Sequence, residues 1–271
     1  MSESDDNFVI DMHGHIGDYG NFFMPDVSME RLFAVYDICK VKCCIVSHVV
    51  GLYSHDFAYG NRATVEYVDA YPGKVFGYAV YDPHYPEESL ADVKQYVARK
   101  GFVGVKIYPS GHAYSLDGPD YDPLWRLASD RGFPVLTHTW DPNPKATVPF
   151  DWNSVFAQPE LLDPVAQKYP DVRVIMAHTG GHYDGHKQAI AMANKHANLY
   201  VDICGEPIDY GFLEWLVAEM SVEKIMYGSD QNWIEPRAML GRVLGASISV
   251  EDKERILFRN AERFFGDSLR A

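Results

Sequence analysis

Five residues of this chain carry side chains suited to holding a divalent metal, and each lies where a β-forming run stops. The run FVIDMH (8–13) leads into Asp11-Met12-His13-Gly14-His15. Alternate residues of a strand share a face, so His13 and His15 can point the same way. FPVLTH (133–138) ends at His138, VRVIMAH (172–178) at His178 and EKIMYGSD (223–230) at Asp230. Imidazoles with a carboxylate suit zinc, manganese or iron. A single strand-end histidine is more often a packing or hydrogen-bonding residue, so the weight rests on the recurrence. The run FVGVKIY (102–108) adds Lys106.

The remaining strand-like runs are KCCIVSHV (42–49), VFGYAVY (75–81) and LYVDIC (199–204). Between the strands lie amphipathic patterns such as MERLFAVYDICK, EESLADVKQYVARK, YDPLWRLASDRG and GHKQAIAMANKH, several stopped by Gly or Tyr-Pro. Strands alternating with helices imply a parallel sheet covered by helices. Eight units predict an α/β fold of the (β/α)8 TIM-barrel type, with an open sheet as the weaker alternative. VEDKERILFRNAERFFG (250–266) adds a final helix. No composition break marks a linker, so residues 1–271 are expected to form a single barrel domain. Reactive residues of such barrels sit at the C-terminal strand ends, where all the residues above fall.

The composition is ordinary for a globular chain: 271 residues, 47% apolar and 23% charged, with net charge −14. Lys and Arg are never clustered, which disfavours nucleic acid as a partner. Cys39, Cys43, Cys44 and Cys204 form no CxxC pair and are expected to be reduced. The opening MSESDDNFVIDM lacks the basic and apolar regions of a signal peptide, and no stretch approaches a membrane span. A cytoplasmic protein acting on a small molecule is expected, with no membrane partner; a homodimer is compatible with the sequence.

The segments IDMHGH, NRATVEYVDAYPGKVFGYAVYDP, GFVGVKIYP, PVLTH, VIMAHTGG, IMYGSD and ILFRNAERFFG resemble the amidohydrolase superfamily over nearly the whole chain. The similarity is to the branch that includes aminocarboxymuconate-semialdehyde decarboxylase-like enzymes and related metal-dependent hydrolases. It implies that His13, His15 and His138 are metal ligands and that Asp230 touches the metal or its water and accepts a proton. His178 is implied either to bind a second metal or to act as acid or base beside the metal water. The resemblance leaves Lys106 open: binuclear members place a carboxylated lysine at this strand end, whereas the decarboxylase uses no lysine ligand there. One metal with an unmodified Lys106 that contacts substrate is the favoured reading. Zn2+ is the expected ion, one per chain or two with carboxylated Lys106; Mn2+ or Fe2+ would fit the same donors.

Aromatic residues crowd the expected mouth: Tyr108, Trp140, Phe150, Trp152 and Trp233. Such walls suit a flat or apolar ligand. His182 and His48 are further pocket candidates, whereas His55, His84, His112 and His196 read as surface or capping residues. Glu206 reads as a loop carboxylate and Cys204 as a buried thiol. Carboxylate-clamping cations are few (Lys106, Lys145, Arg237 and Arg62), and a dicarboxylate would want a bidentate arginine. That scarcity favours hydrolysis of a C–O or C–N bond by metal-activated water over the alternative on the same site, a non-oxidative decarboxylase or hydratase. A metal-free lactonase and a non-catalytic binding barrel are more distant alternatives.

Overall fold

Each of the eight β-forming runs becomes a parallel strand, and the strands pair in chain order. The computed structural model describes residues 8–18, 20, 22–141, 154–205 and 209–270. The strands are β1 (Val9–Ile16), β2 (Val41–His48), β3 (Val75–Val80), β4 (Phe102–Ile107), β5 (Val135–His138), β6 (Val174–Ala177), β7 (Leu199–Asp202) and β8 (Ile225–Met226). Twelve α-helices are described, besides short 3-10 turns: α1 (Met29–Cys39), α2 (Val49–Tyr53), α3 (Phe57–Ala70), α4 (Pro86–Tyr96), α5 (Pro109–His112), α6 (Asp122–Arg131), α7 (Leu162–Lys168), α8 (Tyr183–Lys195), α9 (Phe212–Glu219), α10 (Pro236–Gly245), α11 (Val250–Glu254) and α12 (Asn260–Phe265). A single wide turn, Arg255–Arg259, links the last two into the expected C-terminal helix. The barrel is the expected (β/α)8 fold. The two short helices α2 and α5 were not anticipated. None of the described helices is long and apolar enough to cross a membrane.

Strand alternation divides the core into two layers. Ile10, Met12, Ile45, Phe76, Tyr78, Val103, Leu136, Ile175 and Met226 fill the barrel axis, and Phe264 and Phe265 of α12 close its floor. The opposite faces, among them Val105, Val135, Val174 and Val201, pack outward on the helices. Leu136 and His138 therefore share the inward face of β5. On β1 the register with β2 slips between Asp11 and Gly14. A slip of this kind re-aims side chains, and beyond it His13 and His15 face the axis.

The ring closes between β8 and β1 through a parallel bridge, Gly14 to Gln231. The Met12 N–H also donates to the Tyr227 carbonyl at 3.1 Å. Asp11 pins this seam. Its carboxylate accepts from Tyr36 Oη at 2.6 Å, from the Ser229 N–H at 2.9 Å and from Ser229 Oγ at 2.5 Å. Burial pushes its pKa up to about 6, against the pull of those bonds. Asp11→Ala would leave these donors buried and unpaired, at about 1–3 kcal/mol each. A fall in stability of about 3 kcal/mol or more is expected from urea denaturation; an unchanged midpoint would contradict this role.

Candidate active site

The ends of β1, β4, β5, β6, β7 and β8 converge on one buried polar centre. His13 is fixed from behind by Asp202, whose Oδ2 lies 2.9 Å from His13 Nδ1. Burial alone would raise the Asp202 pKa, but attraction to His13, the bond to it, and His178 outweigh burial and hold the carboxyl at about 2. An ionised carboxylate only accepts, so Nδ1 carries the proton and Nε2 presents its lone pair inward. Lys106 Nζ lies 2.8 Å from that Nε2, and Asp230 Oδ1 lies 3.6 Å from it.

His15 Nε2 meets Asp230 Oδ1 at 3.1 Å, while Ser47 Oγ sits 3.2 Å from its Nδ1. On the other side His178 Nε2 lies 3.1 Å from His138 Nδ1. Ligand atoms of His13, His178, Asp230 and Cys204 all fall within 4.8 Å of one another. The structure thus brings all five expected ligands, and Lys106, together.

The protonation states suit a cation. Burial, with Lys106 second, holds His13 below the usual imidazole range. Burial likewise lowers His15 and His138, and brings His178 to about 4. Asp230 is held below the usual carboxylate range: burial opposes this, but the His15 bond and the nearby imidazoles prevail. Neutral imidazoles around an ionised carboxylate are the deprotonated donors that a divalent ion needs. The donor set fits the metal.

Backbone strain marks the same positions. His178 (φ 61°), its neighbour Thr179 (φ 46°) and Asp230 (φ 60°) are left-handed, a conformation non-glycine residues hold only when their surroundings compel it. The His178 N–H donates to Asp202 Oδ1 at 2.8 Å, so the carboxylate that fixes the His13 ring also fixes this turn. Close packing does the rest. A Cβ on Gly228 would come within 2.7 Å of His13 Cβ, and one on Gly205 (φ +87°) within 2.4 Å of His178 Nδ1.

Asp202 belongs to this centre by its contacts with His13 and His178, and the strand-end pattern does not single it out. A signal was available: in LYVDIC it shares the inward face with Cys204, and a carboxylate inside a buried strand is rare unless paired. Cys204 is the buried thiol expected, its pKa pushed well up by burial. It is nonetheless in the centre, with Sγ 2.8 Å from His13 Nδ1.

Three of the five expected aromatic residues, Tyr108, Trp140 and Trp233, lie against imidazoles of the centre. Trp233 stacks on His15 at 3.9 Å with 13° between planes. Trp140 lies parallel to His138 at 5.6 Å, and Tyr108 meets His138 edge-on at 4.6 Å. His182 packs on Trp140 at 4.8 Å. Tyr53, not anticipated, joins this wall edge-on to Tyr108 at 4.8 Å. Three residues take other duties. His48 Nδ1 accepts from the Val50 N–H and caps α2, Arg237 pairs with Glu235, and Arg62 lies over Tyr59. Lys145, Phe150, Trp152 and Glu206 lie outside the described residues.

Four imidazoles and a carboxylate at the C-terminal mouth of a (β/α)8 barrel form a donor set of the kind that suits a divalent metal. The amidohydrolase family profile matches residues 10–266, and the chain belongs to that family. No curated protein matches it. Among solved structures it resembles an uncharacterised TIM-barrel protein from Bordetella bronchiseptica (18% identity, TM-score 0.76, 97% of this chain and 99% of that one). It also resembles a dihydroxybenzoic acid decarboxylase from Polaromonas sp. JS666 with bound manganese and 2-nitroresorcinol (18% identity, TM-score 0.75, 98% of each chain). A third is a 2,6-dihydroxybenzoate decarboxylase from Rhizobium (16% identity, TM-score 0.72, 96% of this chain and 98% of that one).

Proposed function

We propose that the chain is a divalent-metal-dependent, non-oxidative carboxy-lyase acting on a small aromatic acid. This reverses the order of the two readings drawn from sequence, in which hydrolysis led. The observation that carries it is the mouth itself: flat aromatic rings enclose a centre whose one buried cation, among the described lysines and arginines, is Lys106. Such walls fit an aryl body. One ammonium beside a metal matches one carboxylate, so the scarcity of arginines argues against a dicarboxylate rather than against decarboxylation. Two of the three similar structures are decarboxylases of dihydroxybenzoates, which supports the same chemistry.

In this reading His13, His15, His138 and Asp230 would hold the ion. When bound, it would supply a positive charge that anchors the substrate's oxygens and stabilises the negative charge they carry. Asp202 keeps the His13 lone pair aimed inward. Lys106, unmodified, faces the substrate carboxylate. Asp230 and His178, both unprotonated in the free site, are placed to take the proton of the substrate's ring hydroxyl and pass it to the ring carbon in place of the carboxyl group. The ring carbon gains that proton, the bond to the carboxyl carbon breaks, and its electron pair returns to the ring as carbon dioxide leaves. The stacked walls exclude water from the ring face. We assign one ion, with zinc first and manganese next, a single barrel domain for the chain, and a cytoplasmic small-molecule role.

Incubating metal-loaded protein with a panel of hydroxylated benzoic acids, and with aryl lactones, esters and amides, separates the two chemistries. Carbon dioxide with the matching phenol is the expected product; turnover only of the lactones, esters or amides would overturn the assignment in favour of hydrolysis. Trp233→Leu removes the ring stacked on His15. Aromatic stacking contributes about 0.5–1.5 kcal/mol beyond burial, so KM should rise about 2–10-fold. A KM matching wild type would argue against Trp233 as a substrate wall.

A further inference from the structure

Three histidines that read as surface or capping residues come together at the rim of the barrel mouth. His55 follows α2, Asp82 and His84 follow β3, and His112 ends α5. Asp82 is fully buried, and its Oδ2 lies 2.7 Å from His55 Nδ1. Its Oδ1 accepts from the His84 N–H at 3.0 Å. Donor atoms of His55, Asp82 and His84 all lie within 4.8 Å of one another.

A plain His–Asp ion pair with a turn-forming aspartate would account for part of this, but not for the histidines around it. His84 Nε2 lies 2.6 Å from the His112 carbonyl. A carbonyl only accepts, so Nε2 carries the proton and Nδ1 keeps the lone pair, the arrangement that orients a ligating imidazole. The His112 ring is 1% exposed and lies 5.4 Å from the His55 ring. Neither ring nitrogen makes a hydrogen bond of good geometry among the described residues, the Gly51 backbone being a weak partner. The imidazole is thus buried with its hydrogen-bonding capacity poorly met, beside two further imidazoles and a carboxylate, where such a group is costly.

We propose that His55, Asp82 and His84 form a second site for a divalent transition metal of the zinc type, with the His112 imidazole beside it. Two imidazoles and one carboxylate form a donor set of the kind zinc takes, and an open fourth position is left for water or His112. The ion would tie the end of α2 to the β3–α4 turn. Tyr53, two residues before His55, and Tyr108, just before α5, are walls of the main mouth, so this ion would brace them without touching substrate.

Equilibrium dialysis against Zn2+, with zinc and protein then counted, tests this on the intact chain. His55→Ala and His84→Ala change exposed rim residues and leave every mouth ligand in place. Each variant is expected to bind one zinc fewer per chain than wild type. A count in either variant equal to wild type overturns the proposal. Because the readout is a difference between proteins, it does not depend on how many ions the main mouth holds or on what reaction that mouth performs.

Discussion

Asp230→Asn should lower turnover by about 10²–10⁴-fold, the usual contribution of a positioned acid or base, with metal content near that of wild type. Asparagine keeps an oxygen for the ion and tolerates the left-handed φ of 60° found at this position. It cannot take up or release a proton. The change therefore separates the two duties assigned to Asp230, whose Oδ1 already meets His15 Nε2 at 3.1 Å. Elemental analysis alongside kcat reads both. Full activity would remove Asp230 from proton transfer, and loss of metal in step with activity would reduce it to a ligand.

Asp202→Asn should weaken metal binding by about 10–100-fold, the cost typical of removing the group that orients a ligand. The carboxylate lies 2.9 Å from His13 Nδ1. An amide carries no charge and removes the need for Nδ1 to hold the proton, so the inward lone pair on Nε2 is no longer enforced. The Ala variant goes further. It strips the acceptor from the His178 N–H at 2.8 Å and from the Cys204 N–H at 3.2 Å. Each buried donor left unpaired costs about 1–3 kcal/mol, so Asp202→Ala should also unfold at lower denaturant. Chelator competition measures the affinity. An Asn variant that holds its ion as tightly as wild type would contradict the role.

Much of this was readable in the sequence because strand periodicity and strand-end chemistry are local. FVIDMH, PVLTH and MYGSD announce both a strand and the residue that ends it. His138 follows by alternation from the inward Leu136. What was not readable depends on contacts distant in sequence. The His13–Asp202 contact spans β1 and β7, and the slip after Asp11 that turns His13 inward shows only when β1 is paired with β2. The rim cluster was missed for a related reason: its three histidines come from three different stretches of the chain, and only Asp82 and His84 are neighbours in sequence. α2 and α5 were missed because five and four residues are too few to show a helical period. The preference for hydrolysis came from counting cations along the chain. The count was sound, but it bears on how many carboxylates a substrate carries rather than on which bond is broken.

Whether the mouth holds one ion on these ligands can be read by anomalous diffraction at the metal edge, from crystals of metal-loaded protein. One strong peak is expected in the barrel mouth, about 2.0–2.2 Å from nitrogens of His13, His15 and His138 and an oxygen of Asp230, with no added density on Lys106. No peak in the mouth, or a peak not touching His13 and His15, would contradict this assignment.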